Sequence, residues 1–242
     1  MRFQTKIDNA LGLDYENEDA IWIKKGKTVR RLIGVLGMVL PLLLYVIVAS
    51  TTCVKTPLES ISHYYYTNAA TVFTVILSFI AIFLIVYSGL KSTDFYVSTF
   101  AGVFALCVVL FPTDTLVEDC SGVNIVDVPV SEIRAGFHII SAGIFISLLA
   151  YMSLCLFTKS DRPKKERTKE KHTRNLIYKV CGILIIFSLL VMVAGFKEVI
   201  ISEKFYETYH LTFWMETLAV ECFGIAWLIK GETLFKDKVQ GK

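Results

Sequence analysis

Polar and apolar positions in this chain are sorted into long blocks, unlike the short alternations of a water-soluble fold. Six blocks hold close to the roughly 20 apolar residues that cross a hydrocarbon core of about 30 Å. They cover residues 31–50, 68–90, 95–112, 134–157, 175–197 and 208–229. The pattern predicts an all-α, polytopic integral membrane protein with six transmembrane helices. The polar remainder divides into an N-terminal tail (1–30), loops inside a membrane domain spanning 31–229, and a C-terminal tail (230–242). The loops at 51–67, 113–133 and 198–207 fall on one side, and those at 91–94 and 158–174 on the other.

Composition agrees with this reading. Of 242 residues, 54% are hydrophobic and 13% aromatic, and the mean hydropathy is +0.57. A soluble chain of this length has no means of burying six such helices. The first block follows some 30 polar residues and is longer than a signal-peptide core, so it reads as a retained anchor. The tail before it, with Trp22 beside Lys24, Lys25 and Lys27, reads either as a short interfacial helix or as a solvated tail.

The charges set the orientation. Lysines and arginines crowd the N-terminal tail, the loop "TKSDRPKKERTKEKHTR" and the C-terminal tail, whereas the opposite side carries Lys55, Arg134, Lys197 and Lys204. The positive-inside rule then places both termini in the cytoplasm, in the cell membrane. A net charge of +3 reports this topology and gives no ground for nucleic-acid binding; the expected partners are membrane lipids. Oligomeric state is not encoded in any recognisable pattern. Cys53 and Cys120 both fall in outer loops, where a disulfide between them is compatible with an oxidising compartment.

Ionisable residues in a membrane region are costly, so their positions are the best guide to chemistry. His63, His138 and His210 fall at the outer ends of the second, fourth and sixth spans, and Asp114 ends the third on the same side. On the second span, His63, Thr67, Thr71, Thr74 and Ser78 share one helical face, below Ser60 and Ser62. On the sixth, His210, Thr217 and Glu221 share a face, with Glu216 on another side; on the fourth, His138 lies with Ser141 beside Ala142 and Gly143. Together these predict an outward-facing polar cavity among spans two, four and six. Each set also has a purely structural reading. Threonines in spans bond to their own helix, Tyr64 to Tyr66 suit an interfacial belt, and polar residues hold helices together.

Three functions compete. The leading one is binding of a lipid or other amphiphile. A second is zinc-dependent lipid hydrolysis, with His63, Asp114, His138 and His210 as an N3O ligand set. The chain has no HxxxH, HExxH or CxxC pair to reinforce it, and no GxSxG elbow for a serine nucleophile. A third is a proton-coupled carrier that uses Glu216 or Glu221. No spacing here identifies a catalytic residue by itself.

Several phrases, "SISHYYYT", "VVLFPTD", "HIISAGIFI" and "FWMETLAVECFGIAWLIKG", resemble those of a group of uncharacterised bacterial six-span proteins. The layout is more distantly similar to the Frag1/DRAM/Sfk1 and DUF998 membrane families. That resemblance implies a lipid-related role. Alkaline-ceramidase-type hydrolases also place Ser, His and Asp at helix ends, but this chain has six predicted spans where they have seven.

Overall fold

The computed structural model describes residues 26–87, 89, 91–114, 123, 125–126, 128–160, 163, 167–196 and 203–235. These residues are helical throughout, apart from connections. The principal helices are α1 (Gly26–Thr51), α2 (Ala70–Val86), α3 (Ser92–Leu110), α4 (Glu132–Tyr151), α5 (Lys169–Phe196) and α7 (Leu211–Lys230). A short α6 (Glu203–Thr208) precedes α7, and a 3₁₀ turn (Ile61–Tyr66) precedes α2. At its far end α4 runs on through a π turn, Met152–Leu156, which sets the Ser153 hydroxyl 2.8 Å from the Tyr178 carbonyl of α5.

Five helices are long and apolar enough to cross a membrane: α1, α3, α4 with its π turn, α5 and α7. The chain is therefore a multi-pass membrane protein. Between α1 and α3, α2 is equally apolar but has only 17 residues, because the chain ahead of it is wound into the 3₁₀ turn. Large apolar side chains ring the outside, among them Leu42, Phe79, Phe100, Ile140, Ile183 and Leu190, all at least half exposed. Such a belt is tolerable only against lipid.

The helices form a closed ring. Each packs on its neighbours in sequence, and α7 closes the circle against both α1 and α5. Glycines permit the tightest crossings. A Cβ on Gly34 would lie 2.7 Å from the Gly224 carbonyl, and one on Gly224 would lie 2.7 Å from the Gly34 carbonyl. Gly102 of α3 sits closer still to the backbone of α2 at Ala81.

One end of the ring is plugged. Trp227, fully buried, meets Tyr87 at 4.9 Å, Phe157 at 5.3 Å and Phe223 at 5.9 Å between ring centres. Basic side chains lie over this plug: Arg30 over Tyr87, Lys230 over Phe157 and Lys171 over Tyr178. The adjoining ion pair joins Lys159 to the buried Asp94 at 2.6 Å. At the opposite end the ring is hollow.

Candidate functional site

The hollow end is built on the segment that links α1 to α2. Its 3₁₀ turn is clamped to the start of α7 by two long-range bonds. The Ile61 N–H donates to Glu216 Oε2 at 2.6 Å, and the Phe213 N–H donates to the Glu59 carbonyl at 3.0 Å. On the other flank the Tyr66 hydroxyl donates to the Thr113 carbonyl at 2.7 Å. Tyr64 and Tyr66 are fully buried, so two of the three tyrosines expected at an interfacial belt serve instead as pegs for this turn.

The clamped turn faces a cavity of about 220 Å³. Its polar side comprises Glu59, Ser60, Ser62, His63, Thr113, His138, Thr212 and Glu216. Its apolar side comes from α4 (Ile139, Ala142, Gly143, Ile146) and α5 (Leu189, Met192, Val193). A smaller void of about 50 Å³ continues inward past Ser62 and Glu216 between Leu40, Phe73 and Phe145. Ile139 and Val193 line the cavity yet are 45% and 46% exposed, so the cavity reaches the lipid-facing surface between α4 and α5. A Cβ on Gly143 would meet nothing within 4 Å.

Two serine–histidine pairs lie side by side. In the first, Ser60 Oγ is 2.8 Å from His63 Nδ1, and His63 Nε2 is 3.5 Å from Glu59 Oε2. Burial pushes the His63 pKa down from 6.5 to about 4, with the Asp114 carboxylate pulling weakly the other way. The ring is therefore neutral at neutral pH. Which of Ser60 and Nδ1 donates is set by the tautomer of the ring.

The second pair is more deeply set. His138 Nδ1 is 2.7 Å from the Phe111 carbonyl, and its Nε2 is 2.9 Å from Ser62 Oγ. The reason lies in "LFPTD": α3 ends at Leu110 because Pro112 disfavours helix at the residue before it. The Phe111 carbonyl is thereby left for a side chain. A carbonyl only accepts, so Nδ1 carries the hydrogen, Nε2 is the acceptor, and Ser62 donates to it.

The remaining candidates are dispersed. Asp114 is exposed at the end of α3, close enough to act on His63 through its charge. His210 occupies the left-handed turn before α7, at φ 47°, with Nδ1 buried and unbonded, and it is not part of the cavity wall. Thr67 is buried and bonds the Tyr64 carbonyl. Thr71 is exposed, while Thr74 and Ser78 are half-buried; none of the four lines the cavity. Phe73, Leu77, Ile80 and Leu84 are the buried face of α2. Ser141 is fully buried without a bond to its hydroxyl and also stands outside the cavity lining.

Glu221 and Thr217 line a separate groove of about 410 Å³ between α1 and α7, with Pro41, Tyr45 and Trp214. Thus the two glutamates of α7 face different spaces. Among the described residues no three His, Cys, Asp or Glu side chains are grouped as metal ligands, so the N3O set is not assembled. Cys53 is disulfide-bonded, while Cys107, Cys155, Cys181 and Cys222 are free. Cys120 lies outside the described residues. The polar side of the cavity includes most of the outer serines and histidines singled out from sequence. The wall from α5 had no sequence signal, since Leu189, Met192 and Val193 read as ordinary span residues. Compared with known proteins, the chain matches no protein-family model, no curated protein and no solved structure.

Proposed function

We propose that this is a six-span cell-membrane protein with both termini cytoplasmic, and that its outer cavity binds a lipid or another amphiphile. One observation carries the reading: a single space joins a hydrogen-bonding side to an apolar side and reaches the lipid-facing surface at Ile139 and Val193. About 220 Å³ falls below the roughly 300–1,000 Å³ of sites that enclose a whole drug-sized ligand. A bound amphiphile is then enclosed only at its head and upper chain, and the rest of the chain leaves between α4 and α5 into the bilayer. The resemblance to lipid-linked membrane families leans the same way.

Native mass spectrometry of the protein released in lipid nanodiscs tests the reading. Gly143→Leu, which grows into open space, should strip the retained amphiphile while leaving the fold intact. An unchanged complement of bound lipid in that variant would overturn it. Orientation is tested with an impermeant thiol reagent on intact cells: Glu132→Cys should label and Thr233→Cys should not.

A further inference from the structure

Resting on the reading that the cavity takes an amphiphile, we propose that Ser62 is a nucleophile and His138 its general base, acting on a carboxylic ester of that amphiphile. The geometry is that of an activated serine: a hydroxyl donating at 2.9 Å to the unprotonated nitrogen of an imidazole whose other nitrogen is fixed. Here a backbone carbonyl, Phe111 O, holds the ring in the working tautomer, at 2.7 Å. That acceptor cannot change its protonation state, so the tautomer is set by covalent structure and helix termination. Ser62 and His138 are both buried, yet both line the cavity, with the apolar wall of Ile139, Ile146 and Met192 beside them. That wall fits an acyl chain.

The pair at Ser60 and His63 is less suited to the same task. Its orienting carboxylate stands 3.5 Å away, and the Glu59 side chain is 62% exposed. It sits at the rim, where it can meet the polar head of the ligand.

The reaction balances with water as the second substrate. Ser62 Oγ attacks the acyl carbon, and its proton passes to His138 Nε2. The bond from that carbon to the alcohol oxygen breaks, and this oxygen takes the proton from Nε2 as the alcohol leaves. Water then attacks the acyl-serine, giving its proton to Nε2. The Ser62 oxygen departs and recovers that proton, and a fatty acid is released. One ester and one water yield one acid and one alcohol.

The test uses the full chain in nanodiscs and a long-chain alkyl fluorophosphonate, which loses fluoride when a serine oxygen bonds its phosphorus. Peptide mass spectrometry of the wild-type protein should place the adduct on Ser62. Ser62→Ala should abolish it, and Ser50→Ala, at an exposed serine of α1 outside the cavity, should leave it. His138→Asn, which retains an N–H for the Phe111 carbonyl, should slow labelling by about a hundredfold or more. The same two site variants should lose hydrolysis of a long-chain p-nitrophenyl ester. A non-reactive alkyl phosphonate of equal chain length separates the two proposals. Its binding without any adduct, or with an adduct on Ser60, overturns the nucleophile and leaves the amphiphile site standing. Neither binding nor adduct overturns both.

Discussion

Glu216 and Ile61, 155 residues apart, are joined by a 2.6 Å bond from the backbone N–H of one to the carboxyl oxygen of the other. With the bond from the Phe213 N–H to the Glu59 carbonyl, it ties α7 to the segment that carries both serines. Glu216→Leu strands the Ile61 N–H and should cost about 1–3 kcal/mol, whereas Glu216→Gln retains an acceptor oxygen and should cost less. Thermal unfolding of the two variants in the same detergent checks the order.

His63 gives the fold a pH dependence of definite sign. Its pKa is about 4 in the folded protein against an ordinary 6.5, chiefly because burial disfavours the charged ring. Between those values the unfolded chain binds the proton and the folded one does not. Stability is therefore full above the ordinary value, falls as pH drops through this window, and levels off below about 4. The loss is at most about 3 kcal/mol. The readout is the difference in slope between wild type and His63→Gln, which should be flatter.

The glycines should separate into two classes. Gly34→Ala or Gly224→Ala drives a methyl into the facing backbone 2.7 Å away and should destabilise by about 1–3 kcal/mol as α1 and α7 part. Gly143→Ala enters open space and should gain up to about 1 kcal/mol from helix propensity alone. Chemical denaturation of the three proteins decides between these signs.

At the plugged end, Lys159→Ala leaves the Asp94 carboxylate, 3% exposed, without its lysine. Breaking a buried pair costs about 3–5 kcal/mol, and less here because Lys159 is partly open to solvent. Adding Asp94→Asn to Lys159→Ala should recover much of the loss, which a double-mutant cycle measures.

The helices were legible because a membrane demands uninterrupted apolar runs, and the charged residues mark where they stop. Boundaries moved where helix outlasts hydropathy. Thus α1 starts at Gly26, ahead of residue 31, and α5 at Lys169, ahead of 175, both extended by polar residues in their first turns. The α2 stripe shows the limit of periodicity. Thr71, Thr74 and Ser78 lie on α2, but Thr67 stands in extended backbone ahead of the helix. Which side of α2 turns inward depends on neighbours, because lipid and protein interior are equally apolar. His63 and His138 both line the cavity. The Ser62–His138 bond was not legible, since it depends on the Pro112 stop in α3, the 3₁₀ turn and the ring closing at once.

The clamp also fixes when the site can exist. Ser62 is made before His138, and His138 before Glu216, while a chain emerging from the ribosome inserts its spans in order. Until α7 enters the membrane, the Ile61 N–H and the Glu59 carbonyl lack their α7 partners, and nothing from that helix holds the 3₁₀ turn over the cavity. The hollow end is thus completed only with the final span, so a nascent or truncated chain carries the serines and His138 without the assembled site.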